Sequence, residues 1–189
     1  GDPESKEKWQ ATADEIRADI LEHGVDDRGV LRQHYETDSL DASALLAAIF
    51  GFLPGDDERL RATVNAIADE LTEDGFVLRY RTGETDDGLS GKEGTFLICS
   101  FWLVSGLAIV GDLQRARDLM ERLLRKFKRA RTLVPAPAIE ATGTSDIGLV
   151  AIGSSRGAVN EARDILAKRG IPIDYMRIKA FPFTKEVEA

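Results

Sequence analysis

One carboxylate stands directly in front of the most apolar run of the sequence. Glu93 precedes the segment from Thr95 to Val110, which is largely apolar. A positioned carboxyl group is one of the side chains that transfer protons in catalysis. A Glu in the first turn of a helix also interacts favourably with the helix dipole, and this role needs no chemistry. Glu93 is therefore either a catalytic acid at the mouth of a pocket or the first-turn charge of a buried helix.

A second candidate site consists of small residues between two predicted elements. Gly153, Ser154, Ser155 and Gly157 follow the apolar run IGLVAIG and begin a helical pattern. Backbone N–H groups at the start of a helix can bind an anion. A plain strand-to-helix turn requires the same residue types, and short glycine motifs are weakly specific. We favour the plain turn and keep anion binding as the alternative.

Other residue types that could do chemistry are few. Cys99 is the only cysteine, and its place within FLICSFWL predicts a small core residue and not a nucleophile. His23 and His34 fall on different predicted elements, so they form neither a metal pair nor a catalytic triad. The stretch GETDDG lacks the full spacing of a calcium loop. We predict no metal site and no cofactor.

The charge balance limits the classes of partner. The chain has 189 residues, a formal net charge of -8 and a pI near 4.9. This charge argues against nucleic acid and anionic membranes, which bind through Lys and Arg. The basic run from Arg122 to Arg131 is interpreted as the last turns of a helix, where cations complement the dipole. The apolar run is too short for a bilayer span, and GDPESKEKW has no signal-like apolar region. We expect a globular cytoplasmic protein.

Helical periodicity dominates the first two thirds of the sequence. One predicted helix has the face Trp9, Ala13, Ile16 and Ile20. The next segment, VLRQHY, alternates roughly between apolar and polar residues and predicts a short extended stretch. Asp41 is predicted to cap a helix through ASALLAAIFGFL that Pro54 and Gly55 end.

Three further helical patterns follow. Asp56 and Asp57 can cap a helix with the face Leu60, Val64, Ile67 and Leu71. A loop with a short extended core, EDGFVLRYRTGETDDGLSG, leads to the apolar helix from Thr95. Its amphipathic partner has the face Leu113, Ala116, Met120, Leu123 and Phe127.

The character of the sequence changes near Thr132. The segment TLVPAPAIEATGTSD is rich in Pro, Ala and Thr, as in an ordered arm or a linker. A strand, a helix and a second strand then form a predicted right-handed parallel βαβ unit. The predicted fold class is mainly α with a C-terminal α/β unit. The predicted domains are a helical region 1–130, an arm 131–146 and the βαβ unit 147–189.

Residues 9–127 resemble glycoside hydrolase family 15, the glucoamylase and bacterial trehalase-like enzymes. The resemblance rests on KWQATADEIRADI, RQHYETDSLDASALLAAIFGFLPGDDERLRATVNAIADEL, DGFVLRYRTGETDDGLSGKEGTFLICSFWLV and GDLQRARDLMERLL. It implies about half of an (α/α)6 toroid and inverting hydrolysis of α-glucosidic bonds by two carboxylates. In the family, as aligned, the acid precedes the first of these motifs and the base follows the last. The resemblance therefore implies that both catalytic carboxylates are absent from this chain.

The same resemblance implies roles in binding. The loop RYRTGETDDGLSGKEG is similar to one that faces the sugar pocket, where Arg and acidic side chains hydrogen-bond substrate hydroxyls. Arg79, Tyr80, Asp87 and Glu93 are thus candidates for substrate contact and not for proton transfer. Glu140 could replace the missing base only through a strained alignment. The implied ligand is a small sugar such as trehalose or maltose.

Residues 131–189 resemble a different family, the α subunit of 2-oxoacid:ferredoxin oxidoreductases of the 2-oxoglutarate type. The motifs are RTLVPAPAIE, LVAIGSSRGAVNEA and IKAFPF, which resemble the start of a transketolase C-terminal-like domain. In that family this domain helps to assemble the subunit and its coenzyme A side, and it does not hold the thiamine diphosphate chemistry alone.

Three hypotheses of function follow. The chain is a carbohydrate-active fragment of glycosidase type that is inactive alone, a subunit-interaction module of oxidoreductase type, or a chimeric or remnant structural protein without activity. A half-toroid leaves apolar helix faces exposed, and a truncated sheet leaves an open edge. We therefore predict a homo-oligomer or an obligate partner chain.

Overall fold

The computed structural model describes residues 2–84, Gly88, Gly91 and residues 94–188. The chain divides into two compact units, Gly1–Arg122 and Leu123–Ala189. About half of the described residues are helical, and two small sheets account for the strands.

The first unit is helical apart from one hairpin. A 3₁₀ turn, Ala42–Leu45, leads directly into the second helix. The last helix begins in this unit and ends in the second one. The elements are α1 (Pro3–His23), α2 (Leu46–Ile49), α3 (Glu58–Glu70), β1 (Thr72–Glu73), β2 (Phe76–Val77), α4 (Leu97–Ile109) and α5 (Leu113–Arg131).

The core of this unit lies between α3, α4 and the turn before α2. The predicted face of α3 is confirmed, because its four residues are fully or almost fully buried: Leu60, Val64, Ile67 and Leu71. Gly106 on α4 permits close approach, since a Cβ there would lie 3.2 Å from side-chain atoms of both Leu45 and Val64. The apolar run therefore forms a helix with one face in the core, and the expected full burial is wrong, because Leu97, Ile98 and Phe101 on its other face are exposed. No helix among the described residues has both the length and the apolar content that a bilayer crossing requires.

Asp57 begins α3, as the sequence predicts. Its carboxylate accepts a hydrogen bond from the backbone N–H of Arg59 at 2.9 Å and pairs with the Arg59 guanidinium at 2.7 Å. The hydrogen bond from the Arg59 side chain is the largest cause that lowers the pKa of Asp57 to about 2. The cap therefore gives a backbone N–H of the first helical turn a hydrogen-bond acceptor and adds a local ion pair.

Removing this cap should destabilise the first unit modestly and in a pH-dependent way. We expect Asp57→Ala to lower the free energy of unfolding by about 1 kcal/mol at neutral pH. The ordinary pKa is 3.8 and the folded one about 2, so the unfolded chain binds more protons in acid. The ionic contribution is complete above about pH 4 and is lost as the pH falls toward 2. Urea unfolding at several pH values measures it. Asp57→Asn is the control, because it keeps a capping oxygen while abolishing this pH dependence.

The predicted end of α2 is wrong. The helix ends at Ile49 and does not continue to Leu53, because Gly51 takes φ of 68° and reverses the chain. The N–H of Phe52 donates to the carbonyl of Ala47, and the N–H of Gly51 donates to that of Ala48. These two bonds form a Schellman motif, which satisfies the last carbonyls before Pro54 is reached.

Two other expectations for the first unit differ from the structure. Trp9 was expected on a core-facing helix surface, yet it is 67% exposed, and α1 has no buried residue. No described element covers the N-terminal part of that helix. The segment VLRQHY forms no strand, and Leu31 makes only an isolated bridge to Val25. The backbone N–H of Leu31 donates to the Thr63 hydroxyl at 2.9 Å, so a side chain takes the place of a partner strand.

The second unit contains a three-stranded sheet and two helices. Its elements are β3 (Ala138–Glu140), β4 (Gly148–Ile152), a 3₁₀ turn (Gly153–Ser155), α6 (Arg156–Lys168), β5 (Asp174–Ile178) and α7 (Lys185–Glu188). The strand order is β3-β5-β4, with β4 parallel and β3 antiparallel to β5. Met176 on β5 lies opposite Val150 on one side and Ile139 on the other. The Pro-rich arm thus supplies one strand of the sheet.

Candidate functional site

The backbone that carries Arg79 and Tyr80 is held on three sides. The N–H of Leu78 donates to the carbonyl of Leu71 at 3.0 Å, and the carbonyl of Arg79 accepts from Ala42 at 2.8 Å. Tyr80 forms an isolated antiparallel bridge with Asp41. The segment 77–80 is therefore fixed to the ends of α3 and of the 3₁₀ turn.

A buried hydroxyl on α4 fixes the start of the same segment. Ser100 Oγ accepts a hydrogen bond from the backbone N–H of Val77 at 3.0 Å, and both residues are fully buried. The carbonyl of Val77 accepts from the N–H of Phe96 at 2.9 Å. Since an unsatisfied buried N–H is costly, this pairing ties the hairpin to α4. The apolar helix thereby positions the loop next to it.

Arg79 and Tyr80 combine an exposed cation with a buried ring. The Arg79 side chain is exposed, and its guanidinium carbon lies 5.4 Å from the centroid of the Tyr80 ring. A cation–π contact of this exposed kind contributes on the order of 0.5–1 kcal/mol. It orients the guanidinium without using its N–H groups, which can still donate to a ligand.

A cavity of about 300 Å³ lies beside Tyr80. It is lined by the end of the hairpin and by the loop that follows: Thr72, Glu73, Leu78, Tyr80, Arg81, Thr82, Gly83 and Glu84. The volume is at the lower end of the range for small-molecule sites. The Arg81 guanidinium donates to the carbonyl of Glu70 at the end of α3, which holds this wall in place.

The lining suits a polyhydroxylated ligand. Glu73 and Glu84 supply acceptors, Arg81 supplies donors, and the Thr82 hydroxyl can do both. Tyr80 and Leu78 add an apolar wall, so a neutral sugar could place hydroxyls and a C–H face against complementary surfaces. The sequence pointed to this loop, but it did not single out Glu73, Arg81, Thr82 or Glu84.

Asp87 and Glu93, the two carboxylates predicted to contact substrate, lie outside the described residues. The structure does fix the start of the following helix. Phe96 is the N-cap residue of α4, and no acidic residue lies in its first turn. The helix therefore begins at Leu97 and not at Thr95 as expected. Substrate contact by Asp87 and Glu93 stays a prediction.

Cys99 belongs to the core, as predicted. It is fully buried within the cluster around α3 and α4. The pKa of its thiol is raised to about 11, mainly by burial and also by the Asp41 carboxylate, while the Arg79 guanidinium opposes both. The thiolate needed for nucleophilic chemistry is thus disfavoured at neutral pH.

The remaining candidates occupy ordinary structural positions. Within the described ranges, no group of three or more His, Cys, Asp or Glu side chains could hold a metal. His23 lies at the end of α1, 3.2 Å from the Asp19 carboxylate. Glu140 is on β3 and pairs with Arg163 at 2.5 Å, so its carboxylate already has a cationic partner.

The turn that the sequence offers as an anion-binding site joins β4 to α6. Gly153, Ser154 and Ser155 form the 3₁₀ turn, and Gly157 lies in the first turn of α6. Ser155 makes no capping hydrogen bond with its side chain, and Gly153 has φ of 86°. This geometry is that of a strand-to-helix turn that requires glycine at one position. Anion binding there stays a prediction.

Comparison with known proteins matches most of the chain to one family. Residues 1–157 match the family model described as glycosyl hydrolases family 15. A trehalase of Mycolicibacterium smegmatis is 64% identical over 124 residues, which cover 66% of this chain and 19% of that protein. A trehalase of Thermoplasma volcanium is 39% identical over 121 residues, which cover 63% of this chain and 19% of that protein. The chain thus spans about a fifth of the length of these relatives.

A solved structure agrees with the sequence relatives. A glycosidase variant in complex with glucose superposes with a TM-score of 0.53 and 30% sequence identity. The superposition covers 63% of this chain and 30% of the glycosidase. A wild-type glycosidase structure gives the same values. The helical arrangement is therefore compatible with part of a glycosidase toroid.

Proposed function

Because the chain belongs to glycosyl hydrolases family 15, we propose that it is a carbohydrate-active fragment whose first unit contacts α-glucosidic sugars such as trehalose or maltose. The observation that carries this proposal is the cavity beside Tyr80, where charged and hydroxyl side chains converge on one small space. The relatives named trehalase make a glucose disaccharide the first ligand to test.

We propose further that the chain does not hydrolyse these sugars alone. Inverting hydrolysis requires a protonated carboxyl and a carboxylate about 6.5–9.5 Å apart, with space for a water between them. The resemblance of residues 9–127 implies that both catalytic carboxylates fall outside the segment that this chain shares with the family. Arg79, Tyr80, Asp87 and Glu93 are accordingly assigned to substrate contact.

Calorimetric titration with trehalose, maltose and glucose tests the proposal. We expect saturable binding of at least one sugar, weakened about two- to tenfold by Arg81→Ala or Glu84→Gln, as for the loss of one hydrogen bond; both residues line the cavity. Arg61→Ala is the matched control, because Arg61 is an exposed arginine of α3 outside the cavity. No binding, or equal weakening by the control, would contradict the proposal.

A hydrolysis assay tests the second part separately. Purified chain and a Glu93→Gln variant are incubated with trehalose and maltose, and released glucose is measured. We expect no turnover in either sample. Turnover that Glu93→Gln abolishes would show that Glu93 carries chemistry and that the alignment of the catalytic carboxylates is wrong.

A second candidate function concerns the C-terminal part. The family match includes residues 131–157 of the segment that resembles an oxidoreductase subunit, and only the rest of that segment, with most of α6 and all of β5, lies beyond the match. The resemblance of residues 131–189 to an oxidoreductase α subunit therefore stays a proposal, with a role in subunit interaction. Co-purification with a thiamine-dependent partner would favour it. A chimeric or remnant protein without activity is the remaining hypothesis. Under all three hypotheses we propose that the chain is cytoplasmic.

A further inference from the structure

The strand β4 forms an unprotected edge of the sheet in the second unit. It pairs with β5 on one side, and no described strand pairs with its other side. Its residues, Gly148–Ile152, include no charge and no proline. Val150 is 60% exposed and Ile152 is 59% exposed. A free, apolar edge of this kind is a template for pairing with another strand.

The opposite edge of the same sheet is protected. The strand β3 has only three residues, and Pro135 and Pro137 precede it. Proline has no N–H to donate to a new strand. Glu140 adds a charge, which pairs with Arg163 on α6. Short length, prolines and charge are the usual means of blocking an edge, so only β4 is open to pairing.

We propose that β4 pairs antiparallel with β4 of a second copy of this chain. Antiparallel pairing of identical strands obeys two-fold symmetry, so it closes at two copies and leaves no new edge of its own. With the two-fold axis at Val150, this residue faces its own counterpart and Leu149 faces Ala151. The dimer joins two three-stranded sheets into one six-stranded sheet.

The charges that flank β4 favour a second copy as the occupant. Asp146 lies two residues before the strand, and Arg156 follows its last residue by four positions; both are exposed. With the two-fold axis at Val150, the end of one strand that Asp146 precedes lies beside the end of the partner strand, which leads through the 3₁₀ turn to Arg156 at the start of α6. Between these ends no like charges face each other, because the strand itself is uncharged. The edge is thus compatible in charge with a second copy of itself.

Sedimentation of the chain over a range of concentrations tests the interface. We expect a species of twice the 20.7 kDa chain mass. Val150→Lys should weaken the dimer at least tenfold, because it places two lysines opposite each other at the two-fold axis. Ile139→Lys is the matched control, since Ile139 is 58% exposed on the protected edge. The control should sediment as the parent chain does, and circular dichroism should show that both variants are folded.

A cysteine at the axis provides an independent test. Oxidised Val150→Cys should form a disulfide-linked dimer, whereas Ile139→Cys should not, and the buried Cys99 should not compete. A monomeric parent chain would overturn the proposal. A dimer that survives Val150→Lys and is not cross-linked through position 150 would also overturn it, because association would then use another surface.

Discussion

Replacing Ile67 by alanine is expected to lower the free energy of unfolding of the first unit by about 2–5 kcal/mol. Ile67 is 0% exposed and belongs to the core cluster that α3 shares with α4 and the 3₁₀ turn. The substitution removes three carbons where the chain cannot easily collapse, because Gly106 already brings α4 close to α3. The lost burial and the remaining cavity both contribute.

Urea unfolding monitored by tryptophan fluorescence measures this change. Trp102 packs against the same cluster, whereas Trp9 is exposed, so the signal reports mainly on the core. Ile16→Ala is the matched control, because Ile16 lies on α1 and is 54% exposed. We expect the control to shift stability by less than about 1 kcal/mol. Similar losses in the two variants would mean that α1 is packed as tightly as α3.

Ser100→Ala is expected to lower the free energy of unfolding by about 1–3 kcal/mol. The change removes one oxygen atom, yet it leaves the buried N–H of Val77 without its acceptor. The effect should extend to the candidate site, because Val77 begins the segment that carries Arg79 and Tyr80. Sugar binding should weaken even though Ser100 does not line the cavity.

The same serine-to-alanine change at position 105 separates this effect from helix propensity. Ser105 is an exposed residue of α4, so its replacement should change stability by less than about 0.5 kcal/mol. Urea unfolding gives the stability of both variants, and amide hydrogen exchange reports the protection of the Val77 N–H. Unchanged protection of this amide in Ser100→Ala would show that the hydroxyl does not hold the hairpin.

Local signals predicted the helices of the first unit well, and their ends less well. The cap at Asp57 and the stripe from Leu60 to Leu71 act within one helix, so periodicity reveals them. The stop of α2 was assigned to Pro54, although Gly51 had already reversed the chain. The signal was present, because a glycine shortly after an apolar helical run is typical of a C-terminal cap.

The hairpin before the candidate site carried a stronger signal than the sequence interpretation used. Asp74 and Gly75 have φ of 51° and 76°, and they join β1 to β2 as a two-residue turn. Asp-Gly between extended residues is the usual sequence of such a turn. Recognising it would have placed Glu73 near the loop that begins at Arg79.

The rest of the candidate site could not be predicted from sequence patterns. The family resemblance pointed to Arg79 and Tyr80 as candidates for substrate contact. The structure adds the hydrogen bonds that hold their backbone in place. The hydrogen bonds from the Ala42 N–H to the Arg79 carbonyl and from the Val77 N–H to the Ser100 hydroxyl join residues that are 37 and 23 positions apart in the chain. Such pairings depend on tertiary packing, which neither periodicity nor composition specifies.

The exposure of α1 has a consequence for how the chain responds to proteases. The N-terminal part of α1, in which residues 2–11 are all exposed, can unwind while the core of the first unit stays intact, so its opening costs little free energy. Trypsin should cut at Lys6 and Lys8 before it cuts at Arg17, whose guanidinium donates to the carbonyl of Phe52, or reaches α3 or α4. The site beside Tyr80 is tied to α3, α4 and the 3₁₀ turn, and it should survive the loss of those N-terminal residues.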